Sequence, residues 1–527
     1  MPQPLRRSKA KLYLAILALY VALFVAALDY SIVSTALPTI AGHFHSASAY
    51  TWVGSAYLLA QAASAPTWAK LSDIWGRKIV VLAALSTFFF GSMMCALADS
   101  ISVLIAGRVV QGASGGGIVV LVNVVVSDLF SLRQRGLVLG LSGIVWTLAL
   151  GSGPFVGGLL TEKLSWRWIW FINLPFCGAA IALLVACLDM PNPHTPLIEG
   201  LIAVDWIGSA TIVGFAVMLP MGLTYGSEGV PWSSSRVVAL IVSGAATLFL
   251  FLLNEAKFAK HPVMPLRIFA TRSNLAALVV CFCHGFTYIS AAWFLPLYCQ
   301  SVALASPLRV GTLLLPSALS QAVLYLASGV AIWKTGSYLW VTWIGMACMT
   351  LGMGLFIDFS WHFSTAKVVT YQLVAGLGIG FVFEAPLVAL QAGVSHRDVA
   401  SATAAFGFLR NLATSMSIVL GGVVFQAAME RQKQELLAGL GSTDAAMFGR
   451  EAAASIMLLH ELHGPALQIA QQAFAQALRE TWMLYTVSSA IGLAASFFID
   501  AKELSTDRIE AAVGLELHRV PRSAADG

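Results

Sequence analysis

The sequence predicts an all-α membrane protein: two six-helix bundles joined by two additional helices, about fourteen transmembrane spans in all. Three observations predict it. Of 527 residues, 58% are hydrophobic and only 10% are charged. A soluble globular chain carries about 25% charged residues, so this surface belongs in lipid. The apolar residues gather into runs of roughly twenty, the length that crosses a bilayer as a helix, and short polar turns separate them. The chain also resembles itself. Residues 107–116 align with 371–380 and residues 69–77 align with 329–337, at nearly the same interval. That interval implies six spans, two inserted spans and six more. Halves related by an axis along the membrane normal are a transporter architecture, with the ligand site between them near the midplane.

The elements follow in order. Residues 1–11 form a basic tail that runs straight into an apolar stretch too long for a cleavable signal, so the stretch reads as a retained first span. The first bundle, 12–188, holds spans near 12–36, 50–69, 79–98, 102–127, 137–160 and 169–188. Residues 189–272 hold the inserted spans, near 205–224 and 236–254. The second bundle, 273–500, holds spans near 275–299, 309–333, 338–357, 367–393, 399–427 and 481–499. A long, polar, Ala-rich segment, 429–480, interrupts it on the outer face. Its Ile456, Leu458, Leu459, Leu462, Leu467 and Ile469 suit an amphipathic helix lying on the membrane. Residues 501–527 form a second tail.

Charge sets the orientation. The tight turn between the second and third spans carries Lys70, Arg77 and Lys78, and short basic loops stay in the cytoplasm. With both tails inside, nineteen of the 30 Lys and Arg residues fall on the inner face and nine on the outer. A nucleic-acid binder would show a basic face or tail, and neither occurs. All seven cysteines lie within or at the ends of spans, where inert buried thiols are expected rather than disulfides or a metal site. His460-Glu461-Leu462-His463 lacks the spacing of a zinc motif. Gly112-Ala113-Ser114-Gly115-Gly116 has the form of a hydrolase nucleophile elbow but sits in mid-span, where small residues let helices approach closely. The chain is therefore expected to be no enzyme, to hold no metal and to use no cofactor.

Ionisable residues within spans are costly and mark function. Asp29 and Arg108 lie at matching depths on the first and fourth spans. Glu384 and Arg410 match likewise on the twelfth and thirteenth. Each pair suits proton coupling: an Arg that moves between two positions captures or releases a proton at its carboxylate. A fixed ion pair holding two helices in register is the other reading. His284 reads as a core histidine. Gln111, Asn123, Tyr288, Trp293 and Gln321 are the polar and aromatic candidates for a substrate cavity. Gly153, Pro154, Gly157 and Gly158 make a flat, bent face on the fifth span, suited to a hinge between moving halves or to close packing.

Taken together these residues resemble the major facilitator superfamily over about 12–500. Residues 69–78 resemble its loop signature G-x-L-x-D-x-x-G-R-[KR], with Ala69 in place of the first Gly. Residues 104–112 resemble its span-four motif, and 140–158 its antiporter motif, with Ala149 in place of one Gly. Leu28-Asp29 with Ala36-Leu37-Pro38 resembles the fourteen-span drug:proton antiporters. The run 165–175, together with Asp205-Trp206-Ile207-Gly208, Pro231-Trp232-Ser233-Ser234 and Leu295-Pro296-Leu297-Tyr298, resembles the fungal toxin and multidrug efflux branch. The resemblance implies a gating motif of Asp73, Gly76, Arg77 and Lys78 that latches the cytoplasmic side, and a role for Arg108 in proton transfer. It also implies a monomer in the plasma membrane that exports a small amphiphile, such as a secondary metabolite, toxin or drug, in exchange for protons. An importer or vacuolar carrier of amino acids or siderophores is the second reading. A transporter-like receptor is a third, disfavoured by the short tail after Asp500.

Overall fold

Uninterrupted apolar stretches satisfy their own backbone only as helices once water is absent, and helices are the regular structure found here. The computed structural model describes residues 9–44, 47–227, 230–440, 459 and 462–506. The long helices are α1 Lys9–Ile32, α2 Ala47–Trp75, α3 Arg77–Ala96, α4 Ile101–Leu129, α5 Leu132–Lys163, α6 Asn173–Cys187, α7 Trp206–Ser227 and α8 Ser235–Leu253. They continue with α9 Arg272–Val302, α10 Pro307–Thr335, α11 Leu339–Phe356, α12 in two pieces (Thr365–Val382 and Ala385–Gly393), α13 Val399–Arg431 and α14 Gly464–Ser496. Among the described residues, 12 helices are long and apolar enough to cross a membrane. Helices α2 and α14, of 29 and 33 residues, have the length but are more polar and fall outside that set.

Two expectations are corrected. The last helix begins at Gly464, not near 481. Its extra turns do not lie flat on the membrane: Ala470, Phe474 and Leu478 are buried in the same core as Phe425 and Met429 of α13. The Phe425 and Phe474 rings stand 5.9 Å apart, and Arg431 pairs with Glu480. Of the residues read as a membrane-facing stripe, Leu459 is buried in that core and Leu462, Leu467 and Ile469 pack against it. Ile456, Leu458, His460 and Glu461 lie outside the described residues.

Small residues decide which helices meet. Helix α2 crosses α4 where Gly112 lies against the Tyr57 backbone and Gly116 against the Gln61 carbonyl. A Cβ at Gly112 would come within 2.8 Å of Tyr57 Cα. Overpacking of this kind costs about 1–3 kcal/mol or more. Gly112→Leu is therefore expected to lower the melting temperature in detergent and the yield of monodisperse protein, whereas Gly151→Leu, at a site with no neighbour within 4 Å, leaves both near the parent's.

The first six and last six long helices form two groups that meet along α5–α10 and α2–α13, and the α7–α8 pair rests against α2 and α13. Along the first seam Gly136 and Gly140 abut Gly329, and Tyr325 covers Gly143. Along the second, Ala65 and Ala69 pack with Ala400 and Ala404. The alanine that replaces the signature's first glycine therefore serves a close contact between groups. The bonds that cross between groups cluster at the face carrying the basic turns. Arg133 donates to the Trp333 carbonyl at 2.7 Å and the Lys334 carbonyl at 2.6 Å. Arg135 donates to Gln391 at 3.2 Å, and Gln391 donates to Ser127 at 2.8 Å. This end is closed. Arg133→Ala removes two of the bonds, and a cysteine placed at Ile332 on the α5–α10 seam is then expected to react several-fold faster with a membrane-impermeant maleimide.

Candidate functional site: a central cavity and a sealed ion pair

A cavity opens between the two helix groups. Leu23, Tyr30, Leu58, Gln61, Asn123, Ser142 and Trp146 line it from the first group; Tyr288, Phe383, Glu384, Arg410, Asn411, Thr414 and Ser415 line it from the second. Aromatic faces with a few amide, hydroxyl and charged groups are the lining of a small-molecule site.

Of the five cavity candidates, Asn123 and Tyr288 line it. The other three do not. Trp293 is 56% exposed on α9 and is not among the residues lining the cavity. Gln321 bonds to Ser317 at 2.8 Å within α10. Gln111 is buried in the Asp29 cluster described below. Polarity in a span marks a buried partner as often as a cavity wall, and the helix rotation that separates the two is set by packing. Tyr30, Ser142, Trp146, Asn411, Thr414 and Ser415 were not singled out from sequence. The α13 set carried a usable signal, because residues 410, 411, 414 and 415 recur at helical spacing on one face.

Glu384 and Arg410 meet at the cavity wall. Helix α12 breaks at Phe383 and Glu384, and Pro386 opens its second piece. The break places Glu384 Oε1 3.4 Å from Arg410 Nη1. Arg410 also donates to the Phe383 carbonyl. Its guanidinium lies 4.3 Å from the Phe383 ring and 4.6 Å from the Phe406 ring. His284 points its Nε2 to the Ile379 carbonyl, 3.1 Å away, and its ring stacks on Tyr288. Discontinuous helices at such sites are a known feature of transporters.

Asp29 and Arg108 also meet, but away from the cavity, inside the first group. Both are essentially fully buried, at 0% and 1% exposure. Arg108 pairs with Asp29, donates to the Val53 carbonyl at 3.0 Å and lies under the Tyr57 ring at 4.4 Å. Gln111 and Asn173 donate to the other Asp29 oxygen at 3.1 and 2.9 Å, and both also reach Ser92. Four helices (α1, α3, α4 and α6) thus hold one carboxylate. It sits one residue from Tyr30, which lines the cavity.

The basic turn is a third cluster. Arg77 is buried and shared. Its Nη1 donates to Asp73 at 2.6 Å and to Ser72 at 2.8 Å, and its Nε donates to Asp128 of α4 at 2.8 Å. Gly76 adopts φ +90°, open to glycine but strained for other residues, and it lies against Pro193. Lys78 reaches the Val185 carbonyl at 2.8 Å. These bonds stay within the first group and its following linker, while the closure between groups belongs to Arg133, Arg135 and Gln391. Gly153 and Gly157 pack against Ser31, Ile32 and Thr35 at the end of α1, in the same group. Gly158 has no neighbour within 4 Å, and Pro154 faces outward. On α5, contact with the other group is made by Gly136, Gly140 and Gly143.

Residues 19–418 match the model of the Major Facilitator Superfamily. The chain belongs to this superfamily. It is 44% identical over 506 residues to an efflux pump, dotC, of Dothistroma septosporum, covering 96% of this chain and 87% of that one. It is 42% identical over 518 residues to the MFS-type transporter ppz2 of Metarhizium majus, covering 98% and 90%. Two solved superfamily structures share the fold. The human organic anion transporter MFSD10 has TM-score 0.58 at 15% identity, covering 93% of this chain and 99% of that one. The proton:xylose symporter XylE has TM-score 0.57 at 11% identity, covering 97% and 98%. The superfamily assignment makes the chain a multi-pass membrane transporter rather than an enzyme, driven by an ion gradient and without a cofactor. In this transporter the cavity lies between the halves, and the α5–α10 and α2–α13 seams are where the halves meet.

Proposed function

We propose that this transporter exports small amphiphilic molecules (a secondary metabolite, toxin or drug) across the plasma membrane in exchange for protons, by alternating access. The observation that carries the reading is the Asp29–Arg108 pair, sealed in the first half one residue from the cavity wall. Burying two charges costs several kcal/mol per ion before their attraction offsets it. A carboxylate parted from its cation in so dry a site neutralises by binding a proton. Motion of Arg108 as the halves rock would therefore load or release a proton at Asp29, while the neighbouring Tyr30 reports that motion to the cavity. Closure at the basic face, with the chamber behind it, supports a stage at which ligand leaves on the opposite side. Relatives named as efflux pumps support the outward direction.

Everted membrane vesicles from an expressing host, acid inside, test the reading. A fluorescent amphiphile should accumulate in them, and a protonophore should abolish the accumulation. Accumulation that survives the protonophore would contradict the proposal.

A further inference from the structure

We infer that the cavity takes a flat aromatic ligand bearing an acidic group, and that this group binds Arg410 by replacing Glu384. The inference rests on the cavity being the ligand chamber, and it assigns the Glu384–Arg410 pair to ligand capture. The cation is held in place without the carboxylate. The Phe383 and Phe406 rings both lie against it, and the Phe383 carbonyl accepts from Nη2. The carboxylate, by contrast, makes one contact at 3.4 Å, long for a charged hydrogen bond and short of the two-pronged fork an Arg forms with a well-placed carboxylate. The carboxylate is the incomplete partner: both residues line the cavity wall, Arg410 also neighbours Cys281, and the buried Glu384 Oε2 has no hydrogen-bond partner among the described residues. A buried polar atom without a partner is destabilising, so the site is built for something that completes it.

The sign of the ligand's charge follows from what is fixed and what is free. Arg410 is clamped, whereas Glu384 sits at the break in α12 with no side-chain cap bond to the helix that follows. An incoming carboxylate or acidic phenol can take the Arg410 fork while Glu384 swings aside. Nothing comparable releases Arg410 to make room for a basic ligand. The rest of the ligand is set by the walls. Tyr30, Trp146, Tyr288 and Phe383 offer aromatic surfaces for a planar body, and Asn411 and Thr414 offer hydrogen bonds at its edge.

The test uses purified full-length protein in detergent and two fluorescent probes, pyrenecarboxylic acid and its methyl ester, at neutral pH. The acid should bind about tenfold or more tighter than the ester, the range for a hydrogen bond to a charged group. Arg410→Gln should erase that preference while the ester still binds. Glu384→Gln should tighten the acid further by removing its competitor, which also shows that altering the pair leaves a folded site. The double variant should bind both probes alike. Equal binding of acid and ester by the parent, or a preference for the acid that survives Arg410→Gln, overturns the inference. Tighter binding of pyrenemethylamine than of the ester, lost in Glu384→Gln, overturns it in favour of a basic ligand. The chamber itself is tested by Thr414→Trp, which should weaken both probes. If it weakens neither, the cavity is not the ligand site and the broader reading falls with it.

Discussion

Arg108→Ala is expected to abolish transport driven by a pH gradient. The substitution leaves Asp29 buried with only Gln111 and Asn173 as donors. Removing one partner of a buried pair costs about 3–5 kcal/mol, so lost activity alone would not separate coupling from folding. Two further variants make the separation. Arg108→Gln combined with Asp29→Asn removes both charges and keeps groups that hydrogen-bond in the same place. The double variant should regain most of the melting temperature lost by Arg108→Ala. It should still fail to move substrate against its gradient in reconstituted vesicles. If the double variant transports at the parent's rate, the pair is structural and the proton is carried elsewhere.

Arg77→Ala should be the most destabilising change at the basic face. Arg77 is buried and serves two carboxylates from different helices. Without it Asp128, itself buried on α4, keeps no cation in bonding distance among the described residues, at a cost of about 3–5 kcal/mol. Asp73→Asn should be milder, because Arg77 retains Asp128 and Ser72. Thermal unfolding in detergent should rank the variants parent, Asp73→Asn, Arg77→Ala in decreasing stability. A loss for Asp73→Asn equal to that for Arg77→Ala would show that Asp73, and not the shared arginine, holds the turn. In vesicles, maleimide labelling at the inner ends of α5 and α10 should rise for Arg77→Ala as α4 loosens.

The fold was legible because lipid imposes simple rules. Runs of about twenty apolar residues and the polar turns between them mark where most of the helices lie, although the last begins at Gly464 and two of the fourteen long helices fall outside the 12 that are apolar enough to cross a membrane. Depth along a span was legible too, since helix rise is constant, and it brought Asp29 to Arg108 and Glu384 to Arg410. Rotation about the helix axis was not. Trp293 and Tyr288 stand five residues apart on α9, yet one faces outward and the other the cavity, and only the neighbours of α9 decide which. Gln111 shows the same difficulty from the inside: a polar side chain next to a buried carboxylate is drawn into that network rather than left to a ligand. The break in α12 was hidden because Phe383 and Glu384 interrupt a span without a glycine, and Pro386 reads equally as a kink or as the start of a new helix. The stripe at Leu459, Leu462, Leu467 and Ile469 was assigned to the membrane surface for a related reason. An apolar stripe on a helix has the same period whether it meets lipid headgroups or another helix.

The account depends on proton movement at Asp29 being tied to ligand movement through the cavity. The most direct measurement is proton flux in vesicles reconstituted with the protein, lightly buffered and with no imposed gradient, when an amphiphilic substrate is added to one side. The parent should move protons opposite to the substrate, and Asp29→Asn should move substrate down its gradient with no proton flux. Proton movement of equal size in Asp29→Asn, or none in a parent that transports, would contradict the account.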